Sequence, residues 1–447
     1  MARWIPAGVA LLAVMASLPA AGQQQEAEEE KQGRRRFRFT FTKKEKRPSI
    51  RWSRIIRADF RVKFQTDFRT FDPEDRNDEA LFDFNRRRVG VQGVFLRHFE
   101  FEVERDLPSI ELGPPPPVSE IPEPERTPWR DVFVNFRYLR RFQIQGGYFK
   151  VPFSYDQLTG PNNLDFVYRS RLADLLAPGR DLGLVAHGRL WNRLVNYELG
   201  IFREDGERAR ADNIGTGERT FAGRLTGSPL RLIHAPPILK DLHVGVAVAS
   251  SNVIAGVDPP KGFRGRTPAR EQFFERFFVN GNRRRIGTEL AWLPGPFGIK
   301  GEYVTVSDQR LGQGLRSNDL PNLLSRGWYL SGTWCLTGES KGSGIEPKRE
   351  FITGGGIGAV EIAGRFEALR FGSAAHEGRP SRGTRAANIL GNSDRIWTFG
   401  VNWFVNRWSK IQYNAVRDKI EDTQAFRAPI RGRSTYWMHA VRLQFVL

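Results

Sequence analysis

The sequence predicts an all-β protein, a transmembrane antiparallel β-barrel of about 16 strands with short periplasmic turns and long outer loops. Three observations predict it. Apolar and polar residues alternate with a period of two over many segments. The links between those segments are alternately short and long. An export signal opens the chain, and no later run is long and apolar enough to cross a bilayer as a helix, which takes about 20 residues.

The elements follow in order. Met1–Gly22 has a basic start at Arg3, an apolar run from Val9 to Met15 and small residues at Ala20-Ala21-Gly22. That is the pattern of a cleavable signal peptide. Residues 23–48 are charge-segregated, with Glu26 and Glu28–Glu30 ahead of Arg34–Arg36 and Lys43, Lys44, Lys46 and Arg47. They are expected to form a periplasmic N-terminal tail, and the alternation of Phe37, Phe39 and Phe41 with Arg38 and Thr40 allows either a short strand or a plug that touches the barrel. Residues 49–447 are the expected barrel domain.

Within it, strands are expected near 50–69, 86–95, 98–104, 129–138, 141–150, 181–190, 194–202 and 220–228. A second set is expected near 242–250, 284–293, 298–306, 326–336, 358–371, 395–404, 407–417 and 435–447. Phe60, Val62, Phe399, Val401, Val441 and Leu443 should face lipid. Arg61, Lys63, Lys410 and Arg442, one position away, should face the lumen, because successive side chains on a strand point to opposite faces. Links such as Leu96-Arg97, Leu139-Arg140 and Val405-Asn406 are tight. The links on the other side, including 70–85, 105–128, 151–180 and 251–283, are long. Two links on the short side, 229–241 and 337–357, exceed the pattern. Such alternation suits a barrel, whose closure leaves no unpaired edge in hydrocarbon, and has no cause in a soluble sandwich. Trp52, Trp129, Trp328, Trp334, Trp408 and Trp437 near strand ends suit interfacial girdles. A barrel of this size should enclose an aqueous lumen.

Composition narrows the function classes. The 447 residues carry 69 basic and 50 acidic side chains, a formal charge of +19. Mean hydropathy is −0.46, too polar for a bundle of membrane helices. Strong basicity often marks nucleic-acid partners, but export argues against them. The single cysteine, Cys335, excludes an internal disulfide and a cysteine-rich zinc module. The six histidines form no ligand motif, and no cofactor is called for. Gly338-Glu339-Ser340-Lys341-Gly342 matches G-x-S-x-G in letters, yet it lies in a Gly/Ser-rich turn without the strand and helix a nucleophile elbow needs. The run Gly113–Pro117 marks a stiff outer loop. The bases Lys261, Arg264, Arg266 and Arg270 read as a solvated loop facing lipopolysaccharide.

Four stretches resemble the phosphate-selective porin O and P family of outer-membrane channels. Arg86-Arg87-Arg88-Val89-Gly90-Val91-Gln92-Gly93 resembles its basic second strand. Gly146-Gly147-Tyr148-Phe149-Lys150-Val151-Pro152-Phe153 is similar to the strand end that enters its third loop. Tyr168-Arg169-Ser170 with Pro178-Gly179-Arg180-Asp181-Leu182-Gly183 resembles the exit of that loop. Val441-Arg442-Leu443-Gln444-Phe445 is similar to its closing strand, although the chain ends on Leu447 where such barrels usually end in Phe. The resemblance implies a 16-stranded homotrimer in the bacterial outer membrane, among lipid and lipopolysaccharide, passing small anions such as phosphate or polyphosphate. It also implies that loop 151–180 folds inward and narrows the pore. Arg169, Arg171 and Arg180, with Lys150 at its entrance, are then the anion-contacting candidates, and Arg86 and Arg88 are secondary lumen candidates. Planar guanidinium forks fit phosphate oxygens, and a ring of bases favours anions. The competing expectation is that Arg169 and Arg180 pair with Asp165, Asp174 or Asp181 and only hold the loop. Arg169 and Arg171 can both face the lumen only if the loop is extended there. The alternatives are a porin for another hydrophilic solute, such as acidic sugars, and an outer-membrane barrel enzyme.

Overall fold

The computed structural model describes residues 37–41, 48–72 except 54, 81–107, 127–207 except 192–193, 214–216, 219–255 except 234–235, 279–373 except 343, 392–422 and 435–447. The expected signal peptide, the charged segment 23–36, the proline run 113–117 and the bases at 261–270 lie outside these residues.

The chain order begins with β1 (Phe37–Phe41), β2 (Pro48–Trp52), β3 (Ile56–Asp72), β4 (Leu81–Phe95), β5 (Phe99–Asp106), β6 (Trp129–Phe136) and β7 (Gln143–Lys150). Two short helices follow, α1 (Tyr155–Leu158) and α2 (Arg171–Leu176). Then come β8 (Arg180–Leu190), β9 (Val195–Phe202), β10 (Ile214–Thr216), β11 (Thr220–Gly227), β12 (His243–Ala255) and β13 (Gly281–Trp292). The last are β14 (Phe297–Arg310), β15 (Leu320–Cys335), β16 (Ala359–Ser373), β17 (Asn392–Phe404), β18 (Ser409–Asp422) and β19 (Thr435–Val446). Strands β3–β9 and β11–β19 each pair antiparallel with their neighbours, and β19 pairs with β3. They form a closed barrel of 16 strands. Among the described residues no helix is long and apolar enough to cross a membrane.

The period-two reading sets the facing. Along β15, Leu323, Ser325, Tyr329, Ser331 and Cys335 are buried inside, while Leu324, Trp328, Leu330 and Trp334 are exposed outside. Lys63, Lys410 and Arg442 are buried in the lumen, whereas Phe60, Val62, Phe399, Val401 and Leu443 face out. Every expected barrel strand is present. The first, expected as one run over 50–69, is two strands: β2 ends at Trp52, and Ser53 turns with φ 53° before β3. Strand β19 pairs with β3 only from Asp72 to Lys63, and Leu447 exchanges both backbone bonds with Val62. The remaining stretch of β3 is covered by β2, which pairs with β1 in turn. This hairpin satisfies backbone groups that the short closing strand cannot reach.

One expectation about the interior is corrected. The lumen is not wholly aqueous. Val304, Val306, Leu323, Leu369, Phe371 and Ile420, from the long-loop half of β14–β16 and β18, form an apolar inner face. Leu172, Ala173 and Leu176 of α2 pack on it. Burial of each leucine there contributes about 1.5–3 kcal/mol.

Candidate functional site: the inward-folded third loop

Loop 151–180, the third on the long-loop side, lies inside the barrel. Two serines start its helices. Ser154 Oγ accepts from Gln157 N at 3.3 Å, and Ser170 Oγ accepts from Ala173 N at 3.1 Å. Carboxylates from the wall take further free amides at both helix starts. Glu302 of β14 accepts from Tyr155 N at 2.9 Å and Asp156 N at 2.7 Å, and Glu367 of β16 accepts from Arg171 N at 2.6 Å.

The loop backbone is tied to β13–β19 throughout. Arg285 Nε donates to Leu176 O at 3.0 Å, Asn402 Nδ2 to Asp165 O at 2.8 Å and Lys410 Nζ to Leu164 O at 3.0 Å. Arg365 reaches Tyr168 O, Arg442 reaches Val167 O, and Asn414 Oδ1 accepts from Val167 N. The seam between loop and wall holds a cavity of only about 10 Å³, room for no more than a water. The loop therefore lies against this side of the wall, and β3–β9 line the interior opposite it.

Asp165, in this loop, receives Lys300 Nζ and Lys341 Nζ, each at 2.7 Å. Burial alone would raise its carboxyl, but the two ammonium groups outweigh it and hold it well below the usual carboxylate range. Asp205, beyond β9, is fully buried between Arg283 and Arg285 and is held low in the same way against its desolvation.

The candidate bases are brought together with one exception. Lys150 Nζ donates to Leu158 O and Thr159 O, both at 3.2 Å. Arg169 reaches the carbonyls of Asp156 and Thr159, the latter at 2.6 Å, so the two cations converge on one oxygen. Lys150 also lies within electrostatic reach of Arg88 and Arg180, and Arg86 within reach of Arg88, Arg169 and Arg442. Arg88 is shared between Glu104 and Asp106, and Arg86 donates to Gln65 Oε1. Arg180 is paired, as the competing expectation had it, but with a different acid: its fork meets Asp131 at 3.1 and 2.9 Å, with Glu207 at 3.7 Å.

Arg171 is the exception. The loop is helical there, not extended, so Arg171 leaves the face of Arg169. It bonds Asp174 at 3.1 Å and lies in the field of Glu367, Asp394 and Asp418 on the opposite side.

The β3–β9 side continues to the short-turn end. A cavity of about 880 Å³ there is lined by Arg97, Arg137, Arg140, Arg141 and Arg189, with Glu100 the one acid among its lining residues. Sequence reasoning missed this vestibule and the wall residues that anchor the loop. Two of the arginines, Arg97 and Arg140, were read only as parts of tight links, and the other three as ends of strands. The G-x-S-x-G stretch is an irregular turn with Ser340 exposed, and Cys335 is a buried free thiol 3.3 Å from Glu339.

A closed barrel of 16 strands whose third loop crosses the interior defines the class as outer-membrane porin, a protein of the bacterial outer membrane. The family profile of phosphate-selective porins O and P matches residues 56–447, and the chain belongs to that family. No curated protein matches. Solved structures of OmpT, an outer-membrane protein of Vibrio cholerae, share the fold. The in-vitro folded protein superposes with a TM-score of 0.53 at 8% identity, covering 88% of this chain and 98% of that one. The form expressed in the outer membrane gives 0.51 at 10% identity, with 88% and 99% covered. A trimer form gives 0.50 at 8%, with 88% and 100% covered.

Proposed function

We propose that this porin passes small anions, phosphate among them, by diffusion and without catalysis. One observation carries the reading: the third loop is packed against β13–β19, so solutes are left to the side where Arg86, Arg88, Lys150, Arg169 and Arg180 cluster. Lys150 and Arg86 donate to neutral oxygens in the bonds described above, with Asp131 and Asp67 the acids in their field, and the cluster as a whole acts on a passing ion. Low-dielectric walls focus that field along the passage. The arginine vestibule extends it to the short-turn end, the periplasmic side in outer-membrane barrels. The family description and the guanidinium chemistry point to the same solute class.

Two further features belong to this reading. Export through the Met1–Gly22 signal delivers the chain to a membrane rich in lipopolysaccharide. Assembly as a homotrimer is supported by wall height. Strands β5, β6, β7, β9 and β11 have eight residues each, against 12–17 in β3, β4 and β12–β19. Eight residues at about 3.3 Å, tilted about 40°, rise about 20 Å, less than the apolar band of about 25 Å. That low sector exposes Leu182, Leu184, Leu199, Phe221 and Leu225, and a neighbouring subunit would cover it. Titrating phosphate into a chloride-conducting bilayer channel tests the solute: chloride current should fall saturably. Current unaffected by millimolar phosphate would remove phosphate from the reading.

A further inference from the structure

The link 336–358 joins β15 to β16 on the short-turn side, where the pattern asks for a tight turn. It does not stay outside. Lys341 is 5% exposed, buried inside the short-turn end of the barrel. Its backbone N donates to Gly295 O, in the β13–β14 turn, at 2.7 Å. Ile345, four residues on, buries with Cys335 and Ala359. The Lys341 ammonium is thereby aimed upward. It meets Asp165 of the third loop at 2.7 Å and also bonds Glu361 of β16.

These contacts close a small network. Lys300 takes the other oxygen of Asp165. Asn402 donates to Asp165 O and to Glu361 Oε1, both at 2.8 Å, and Gln412 donates to Asn402 Oδ1 at 2.8 Å. Two lysines balance two carboxylates. With Lys341 removed, Glu361, fully buried, loses its ion pair and keeps only the more distant field of Lys410, and Asp165 keeps its pair with Lys300.

We infer that Lys341 is a positioning residue for permeation: the link 336–358 reaches up from the short-turn end and latches the tip of the third loop against the wall. The inference rests on the porin reading. The wall blocks movement of the tip in one direction, so a released tip can move only into the passage. Loss of the latch therefore narrows and agitates the channel, where loss of a simple plug would widen it.

Single-channel recording of purified trimers tests this with Lys341→Met, Asp165→Asn, the double variant and Lys341→Arg. Folding is checked by heat-modifiable migration in gels. Both single variants should show brief partial closures and a lower mean open current. The double should be no worse than the more affected single, because both remove one contact. Lys341→Arg should restore quiet openings. A quiet, full-conductance Lys341→Met channel overturns the inference, and so does strict additivity of the two changes. Asp165→Asn, which leaves Glu361 its lysine, decides the matter if Lys341→Met does not fold: quiet openings in it overturn the latch. A wild-type protein that folds but carries no current refutes the porin reading itself, a distinguishable result.

Discussion

Arg442 closes the barrel and ties the third loop to the seam, so its removal should be costly in a predictable way. It lies directly opposite Asp67 where β19 meets β3, and both side chains are fully buried. Nε and Nη2 meet the two carboxylate oxygens at 2.6 Å each, and Nη1 holds Val167 O. In Arg442→Met the volume is nearly kept, but Asp67 stays buried with Asn85 as its remaining side-chain donor among the described residues and only the more distant field of Arg86. Breaking a buried pair from one side costs about 3–5 kcal/mol. The lost bond to Val167 O adds about 1 kcal/mol. The sum, about 4–6 kcal/mol, should appear as a lower denaturant midpoint when the barrel is unfolded from lipid vesicles and followed by tryptophan fluorescence. Adding Asp67→Asn should recover more than half of the loss, because the penalty is mainly an orphaned charge. A loss below about 1 kcal/mol, or a double variant no better than the single, would refute this account of the seam.

Other expectations are simpler. In a Cys335→Ser background, cysteine at 61 should react with a water-soluble thiol reagent in the bilayer and cysteine at 60 should not; equal reactivity would end the proposed register. Arg169→Gln should shift the reversal potential toward cations, while Arg171→Gln, on the other face of the loop, should leave it in place; an equal shift in both would contradict the geometry. The Asp165 carboxyl is held below its ordinary range, so its anchoring is complete above about pH 4 and is lost only as pH falls through the depressed value. Openings should thus stay quiet down to about pH 4, and closures resembling those of Asp165→Asn should begin only in stronger acid. Their onset near pH 5–6 would place the anchor on another group.

The wall was legible because a barrel repeats one local rule. Phe399 and Val401 against Asn402, or Leu443 against Arg442, state their faces in sequence alone. The third loop was legible in outline, from Lys150 and Arg180 at its ends, but its conformation was not. Ser154 and Ser170 carry helix-start signals, and Arg171 was placed wrongly for want of reading the second. The anchors were out of reach for a different reason. Glu302, Glu367, Asn402 and Asn414 look like any polar lumen residue, and only closure of the barrel brings their strands around one loop. The apolar cluster inside the barrel takes in Ala247 and Ala249 of β12, and it hid in runs such as Val244–Ala249, where both faces are apolar and alternation fades. Lys341 was hidden by its motif: G-x-S-x-G invites a search for a nucleophile, whereas its lysine is the residue that reaches the interior.

The central claim is that solutes pass along β3–β9 under the field of the basic cluster. The zero-current potential of the wild-type protein in a planar bilayer, with a tenfold potassium chloride gradient, tests it most directly. The account predicts a potential of the sign set by chloride, moved toward zero by Arg169→Gln and by Arg86→Gln. A potential of the sign set by potassium in the wild-type channel would contradict it.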